Sequence, residues 1–499
     1  MESIQAKIYI KNTLSGKKEL FTPITDKKIG MYVCGPTVYG EPHLGHARSA
    51  ITFDVVFRYF SFLGYQVRYV RNITDVGHLE DELNGAGEDK IAKKARLEQL
   101  EPMEVAQRYT NIYREMMAQL NVLPPSIEPT ASGHIVEQIA IIEKIIANDL
   151  AYEVEGSVYL DVIAYSKKYE YGMLSGRVLE DLIAGSRSLD GQQEKKHPAD
   201  FALWKKADDK HLMQWPSPWG NGFPGWHIEC TTMSIKYLGL PFDIHGGGMD
   251  LKFPHHEAEI AQSFAAFGCA PVNYWMHNNM MTLDGQKMAK SKGNFISLDQ
   301  MFSGDHPLLK KAYSPVTVRF LMLQAHYGSP IDFSNQALES AEVACNKLLK
   351  GLELLTDLQS EEFTQSDDPL SEKVLARCGH CYDKMNDDFN TAETIACLFD
   401  LLSMMNTAKQ QKIKLSIEAL KKLKATYQGF LIDVMGISAP SNATSEVLPE
   451  VMEVLLEVRQ GARDKKDFAL ADYIRDRLSS IGIQVNDKEG KATFEVRNP

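Results

Sequence analysis

The 499-residue chain is poor in cysteine, and no long apolar run interrupts it. Its seven cysteines, Cys34, Cys230, Cys269, Cys345, Cys378, Cys381 and Cys397, form an odd and widely spaced set. That pattern argues against a disulfide framework and leaves most of them as small buried hydrophobes. No apolar stretch approaches the roughly 18 residues needed to span a bilayer, so no membrane association is expected. Met1 to Lys7 lack the charged, apolar, small-residue progression of a secretion signal, and the expected location is the cytoplasm. No repeat of the roughly 20–50 residues that mark solenoids is visible. Positive charge is not in excess either: 54 Lys and Arg face 66 Asp and Glu, a net charge of −12. The whole molecule therefore does not read as a nucleic-acid binder, although a local basic strip would suffice to dock a folded RNA.

What is present is the composition of a globular enzyme with two or three domains, 44% hydrophobic and 24% charged. Lys28 to Cys34 reads as a short buried strand that stops at Gly35-Pro36. A helical pattern follows from about His43 to Phe62, with Phe53, Val56, Phe57, Phe60 and Leu63 on one apolar stripe. Gly64 breaks it, and Tyr65 to Val70 is the next strand, which makes a parallel βαβ unit. Residues 126–225 are rich in turns and read as an insertion, with a loop from Gly185 to Pro198. From Trp226 to Met301 the α/β pattern returns; Asp243 to Gly248 ends a strand in a glycine turn and Pro254 opens a helix. Beyond about residue 312 the signals are helical, at about 335–357, 371–386, 391–410, 416–434 and 447–460. An acidic linker, Glu361 to Pro369, lies among them, and a short β-like tail follows Phe468 to Tyr473.

Two motifs carry chemistry. His43-Leu44-Gly45-His46 sits where a strand hands over to a helix. The two histidines, three apart, share one face of a helix N-terminus that already favours anions. Two imidazoles add donors aimed at phosphate, and Gly45 leaves room for a base or ribose. Lys287-Met288-Ala289-Lys290-Ser291-Lys292 is a basic loop bounded by Gly285 and Gly293. Closing on a triphosphate, such a loop neutralises charge at the α-phosphorus and the leaving pyrophosphate.

In this order and roughly 240 residues apart, the pair resembles the HIGH and KMSKS signatures of the class I aminoacyl-tRNA synthetases, with Leu44 for isoleucine and Ala289 for the first serine. The resemblance implies catalytic roles for His43, His46, Lys287 and Lys290, and ATP contacts at His43, His46, Lys290, Gly248 and Asp250. Met31 to Gly40, Pro224 to Cys230 and Asp243 to Glu259 look like the three zinc segments of the cysteinyl members. Asn386 to Thr391 and Asp467 to Asp476 extend the likeness over nearly the full length.

That family likeness implies one Zn2+ per chain on Cys34, Cys230, His255 and Glu259, whose separations in the chain would not have joined them. His256 and Glu257, on other faces of the same helix, are rivals. It further implies L-cysteine, Mg2+-ATP and tRNA(Cys) as substrates, with Gly35, Thr37, Thr74, Trp226 and His245 lining the amino-acid pocket. A soft metal separates thiol from alcohol, whereas a pocket without one gives only ~1–3 kcal/mol for such small differences. The fold class implied is α/β. A Rossmann-like parallel-sheet catalytic domain in two halves (1–125 and 226–311) surrounds an inserted α/β segment (126–225). An all-α helical bundle (312–435) and a small C-terminal domain (436–499) then bind the anticodon. A monomer is the expected state. Two basic groups are candidates for RNA phosphate: the six lysines between Lys409 and Lys424, and Arg459, Arg463, Lys465, Lys466, Arg475 and Arg477. Two other readings are a cysteine ligase with an amino-sugar acceptor, disfavoured by the long helical C-terminal region, and a non-catalytic RNA-binding paralogue, disfavoured by intact His43, His46 and Lys290.

Overall fold

Lys28–Val33 (β1) alternates little in burial, with Met31, Tyr32 and Val33 all enclosed, as suits a strand covered on both faces. In the computed structural model the described residues are 7–77, 79–81, 86–178, 194–208, 211–287, 294–358, 360–361, 369–438, 443–480, 483–488 and 491–496. β1 leads into α1 (Leu44–Phe62) and back through β2 (Gln66–Arg71), parallel to β1 from Lys28↔Gln66 to Val33↔Arg71. The chain then forms α2 (Lys90–Glu98) and α3 (Pro102–Gln119). After the insertion come α4 (Trp226–Leu238), β3 (Phe242–Gly248), α5 (His255–Phe267) and β4 (Val272–Asn278). The sheet order is β4-β3-β1-β2, and every pairing is parallel. From β1 the chain winds one way through α1, and from β3 the other way through α5. The carboxyl ends of β1 and β3 therefore flank a topological switch point, where such sheets bind their ligands.

The single apolar stripe expected on α1 is a wider buried surface. Ala47, Ile51, Phe53, Val55, Val56, Tyr59 and Phe60 are all enclosed, because the sheet covers one side and the helices after residue 315 cover another. Phe53 packs against Gly246 so closely that a Cβ there would lie 2.2 Å from its ring. The glycine turn thus seats α1 on the sheet.

The insertion holds an antiparallel sheet in the order Gly222–Pro224, Phe201–Lys206, Ser157–Leu160, Ala151–Val154. Of the expected Gly185–Pro198 loop, 185–193 lie outside the described residues.

The following bundle comprises Pro315–Leu323, Asn335–Asp357, Pro369–Asn386, Thr391–Gln411 and Ile417–Gln428. It is not purely helical: Ile331–Phe333 pairs with Met281–Leu283, and Ser360–Glu361 with Leu415–Ser416. Residues 362–368 of the acidic linker lie outside the described residues. The helix expected at 416–434 changes to a π-turn over Gly429–Val434, where Gly429 admits the Phe62 ring to within 2.8 Å of the place a Cβ would take. Beneath it Arg319 and Asp54, both fully buried, pair with each other, and Arg58 joins Asp54 at 2.8 Å.

Two compact units result, Met1–Ile437 and Ser438–Pro499. The second consists of helices Ala443–Asp464 and Phe468–Ser480 and the antiparallel hairpin Ile483–Lys488/Lys491–Val496, around Met452, Leu478 and Ile483. Among the described residues no helix is long and apolar enough to cross a membrane.

Candidate functional site

Three chain segments meet at the switch point. Cys34 follows β1, Cys230 lies in the second turn of α4, and His255 and Glu259 project from the first turns of α5. Their donor atoms all lie within 4.8 Å of one another. The edges Cys34 Sγ–Cys230 Sγ, Cys230 Sγ–His255 Nε2, His255 Nε2–Glu259 Oε1 and Cys34 Sγ–Glu259 Oε1 measure 3.6, 3.3, 3.3 and 3.7 Å. Zinc with bonds of ~2.3 Å to sulfur and ~2.0 Å to nitrogen or oxygen gives tetrahedral edges of about 3.3–3.8 Å. The donor set therefore fits that ion. Burial, and then the neighbouring Cys230, push the Cys34 thiol well above its ordinary value, and burial raises Cys230 too. Two enclosed thiols beside a buried carboxylate make a site that a divalent cation would relieve.

A second set, Cys34, His245, His256 and Glu259, also converges. The His256 Nε2 atom reaches Cys34 Sγ at 3.3 Å, so this rival ligand is brought to the site. However, His245 Nε2 stands 2.9 Å from Glu259 Oε2. That is a hydrogen bond, shorter than a tetrahedral edge, and it turns Oε1 toward Cys34 and His255. Glu257, the other rival, accepts the backbone N–H groups of Gly172, Leu174 and Ser175 at 2.7–3.1 Å and faces away.

The surrounding partners set the tautomers. Burial pulls His227 down to about 3, so its ring is neutral, and its Nδ1 lies 2.9 Å from His255 Nδ1. If His255 Nδ1–H donates there, its Nε2 lone pair is left for the cluster. His256 Nδ1 meets His277 Nε2 at 2.8 Å, and His277 Nδ1 meets Thr13 Oγ1 at 2.9 Å. His227, His277, Thr13 and Asn72 were not singled out in the sequence. Only His227, inside Trp226 to Cys230, carried a local signal.

The expected pocket residues gather here with distinct tasks. The Trp226 ring lies 4.3 Å from that of His255. His245 is fully buried under the cluster, stacked 4.4 Å from Trp275. Thr74 Oγ1 donates to Glu229 Oε2 at 2.9 Å, and Thr37 bridges to Thr74. The Gly35 N–H donates to Asn72 Oδ1 at 2.9 Å, while Asn72 carbonyl oxygen lies 1.6 Å from where a Gly35 Cβ would be. Gly35→Ala is expected to destabilise the protein by at least about 3 kcal/mol, since backbone must move beside Cys34; denaturant unfolding checks it.

The histidine motif caps α1. His43 Nδ1 accepts from Gly45 N at 3.0 Å, and His46 Nδ1 accepts from His43 N at 3.2 Å. Accepting at Nδ1 leaves each neutral ring its proton on Nε2, so the stacked rings, 3.9 Å apart, carry outward donors at a helix N-terminus. In the lysine loop, 288–293, including Lys290, lie outside the described residues, as does the Lys287 side chain. Their flanks are placed: Gln286–Lys287 pairs with Met281–Leu283, Phe295 meets the His43 ring edge-on at 5.1 Å, and Leu298 N donates to Pro42 O at 2.9 Å. Gly248 ends β3, and Asp250 is exposed in the turn that follows.

In the basic strip, Lys409 pairs with Asp357 at 2.7 Å and Lys422 lies over the Tyr382 ring. In the second unit Arg459 is buried, and Arg475 pairs with Asp472 and Asp476 at 3.0 Å.

Comparison with known proteins gives three family matches: tRNA synthetases class I (C) catalytic domain over residues 20–343, DALR domain over 380–439, and cysteinyl-tRNA ligase anticodon binding domain over 445–494. The chain is 56% identical over 501 residues to the cysteine–tRNA ligase of Phocaeicola vulgatus, covering 99% of this chain and 100% of the relative. It is 45% identical to that of Chlorobium luteolum, covering 98% and 100%. Among solved structures, Mycobacterium tuberculosis methionyl-tRNA synthetase bound by methionyl-adenylate is similar with a TM-score of 0.58 at 14% identity, over 83% of this chain and 95% of that one. A putative arginyl-tRNA synthetase from Campylobacter jejuni gives 0.54 at 15%, over 84% and 95%. At those identities the structures speak for the fold, a Rossmann-like catalytic domain.

Proposed function

The chain belongs to the cysteine–tRNA ligases of class I, and from that premise we propose how its residues divide the work of joining cysteine to tRNA. The cysteine carboxylate attacks the α-phosphorus of Mg2+-ATP, the bond to the β-phosphate oxygen breaks, and pyrophosphate leaves. The Nε2–H groups of His43 and His46 donate to the phosphates at the α1 N-terminus, and Lys287 and Lys290 neutralise the triphosphate. Gly248 and Asp250 hold the ribose. No side-chain nucleophile is needed, because positioning and charge stabilisation lower the barrier. The terminal ribose hydroxyl of tRNA(Cys) then attacks the acyl carbon and AMP leaves.

Cys34, Cys230, His255 and Glu259 would hold zinc, which supplies a soft Lewis acid that prefers a thiolate to an alcohol. His245 orients Glu259, and His227 orients His255. Gly35, Thr37, Thr74 and Trp226 enclose the rest of the amino acid. The carrying observation is the four-donor cluster at the same carboxyl end of the sheet as the capped histidine pair. Seven free cysteines, five of them buried, support a reducing, cytoplasmic setting.

The test is ATP–pyrophosphate exchange with cysteine or serine, with and without a chelator. Cysteine-dependent exchange that the chelator abolishes is expected; equal exchange with serine would overturn the reading. Lys290→Ala is expected to slow adenylate formation by about 100-fold or more with little change in cysteine affinity, measured by rapid quench. A normal single-turnover rate would remove Lys290 from the chemistry.

A further inference from the structure

Beside the metal cluster runs a short hydrogen-bonded chain in which each proton has a fixed place. It begins at Gly35, whose backbone N–H donates to Asn72 Oδ1 at 2.9 Å. A backbone N–H can only donate, so Oδ1 must face it, and the orientation of the Asn72 amide is set by that partner. The amide Nδ2 then points the other way and donates to Thr74 Oγ1 at 3.1 Å. The Thr74 hydroxyl, already accepting there, sends its own proton to Glu229 Oε2 at 2.9 Å, and a carboxylate only accepts. Asn72, Thr74 and Glu229 are all buried, so bulk solvent does not compete for these bonds.

Glu229 owes its place to α4. It lies in the first turn, where the helix N-terminus favours a negative charge. Its neighbour Cys230 turns to the metal cluster, while Glu229 turns to Thr74. Gly77, at a φ of +78°, admits this approach: a Cβ there would lie 2.5 Å from the Pro224 carbonyl oxygen and 3.4 Å from Glu229 Oε1. Thr74 is itself held at two backbone points. Its N–H donates to Pro36 O at 3.0 Å, and its carbonyl accepts from Val38 N at 3.2 Å.

An alcohol oxygen carries one proton and two lone pairs. With its proton given to Glu229 and one lone pair to Asn72, Thr74 has only an acceptor left to offer a ligand. Glu229 adds negative charge behind it, so this wall attracts a cation with hydrogens to donate and repels a carboxylate. The wall also stands close to the metal cluster, because Asn72 Oδ1 lies 3.7 Å from Cys230 Sγ. In cysteine two carbons separate the sulfur from the ammonium nitrogen, so a thiol held at the cluster can bring its ammonium to this side.

We infer that Glu229 is a positioning residue that sets specificity. By claiming the Thr74 proton it makes this wall an acceptor for the substrate ammonium, and so turns the carboxylate away, toward His43 and His46. The inference rests on the reading that cysteine is held by its sulfur beside Thr74.

The experiment uses full-length, zinc-loaded enzyme carrying Glu229→Gln, which keeps the shape, removes the charge and leaves the Thr74 proton unclaimed. Two ligands divide cysteine between them: cysteamine has thiol and ammonium, and 3-mercaptopropionate has thiol and carboxylate. In calorimetric titration the Kd for cysteamine is expected to weaken by about tenfold to a hundredfold, as when a hydrogen bond to a charged group is lost, while that for 3-mercaptopropionate stays within about twofold or tightens. Zinc content should be unchanged. Thr74→Val should give the same pattern, and adding Glu229→Gln to it should cost much less than the sum of the two. That variant also carries the test if Glu229→Gln alone does not fold. Equal weakening of both thiols would reduce Glu229 to packing, unchanged cysteamine binding would remove it from recognition, and loss of zinc would assign it to the cluster; each overturns the inference. If wild-type enzyme binds both thiols equally well after chelation, the pocket reading itself fails and takes this assignment with it.

Discussion

Cys230→Ser is expected to empty the metal site and raise the KM for cysteine in pyrophosphate exchange by about 100-fold or more, leaving the KM for ATP nearly unchanged. The serine hydroxyl keeps the size of the thiol but remains protonated, and an alcohol is a poor ligand for zinc. The lost edge also matters geometrically, because Cys230 Sγ is the atom that His255 Nε2 approaches at 3.3 Å. The selectivity of the effect follows from placement: Cys230 stands on α4, while His43 and His46, the proposed phosphate donors, cap α1. Metal content per chain, measured by plasma emission, should fall from one toward zero. Full zinc occupancy in the variant would transfer the ligand role to the His245–His256 arrangement and remove Cys230 from it.

Local chemistry was legible in the sequence, and convergence was not. The strand into Cys34, the capped helix at His43 and the parallel return through β2 follow from apolar period and glycine punctuation. The histidine pair was visible as an N-terminal motif, but its reciprocal cap, which places both ring protons outward, depends on backbone geometry at His43. Cys34 and Cys230 are 196 positions apart, and only family likeness joined them. That likeness took in His227 only as part of the Pro224 to Cys230 segment and did not reach His277 or Asn72; all three act through their neighbours. His256 was placed on another helix face, yet α5 tilts it to 3.3 Å from Cys34. In the bundle, the period past Gln428 reads as continued helix, whereas the π-turn there answers to Phe62 and to charges far away in the chain.

Those charges give the second large effect: Arg319→Met is expected to destabilise the folded chain by about 3–5 kcal/mol, the range for removing one partner of a buried ion pair. Asp54 is fully buried, and among the described residues it keeps, without Arg319, Arg58 at 2.8 Å and the Leu123 N–H at 2.9 Å. Three carbonyls also lose a donor: Met435 at 2.6 Å, Leu120 at 3.0 Å and Asn121 at 3.1 Å, although Arg58 still serves Asn121. This decides between two designs. A simple buried pair is replaced by apolar residues at little cost, so the double variant Asp54→Leu/Arg319→Met would regain nearly everything. Here the guanidinium ties α1 to the turn after α3 and to Met435 at the end of the π-turn; in the double variant the orphaned carbonyls persist and Arg58 loses its carboxylate as well. Its recovery should therefore be partial, with about 1–3 kcal/mol still missing for the carbonyls left unsatisfied. Denaturant unfolding of both variants measures the difference, and complete recovery would reduce the node to an isolated ion pair with no hold on the helix that carries His43.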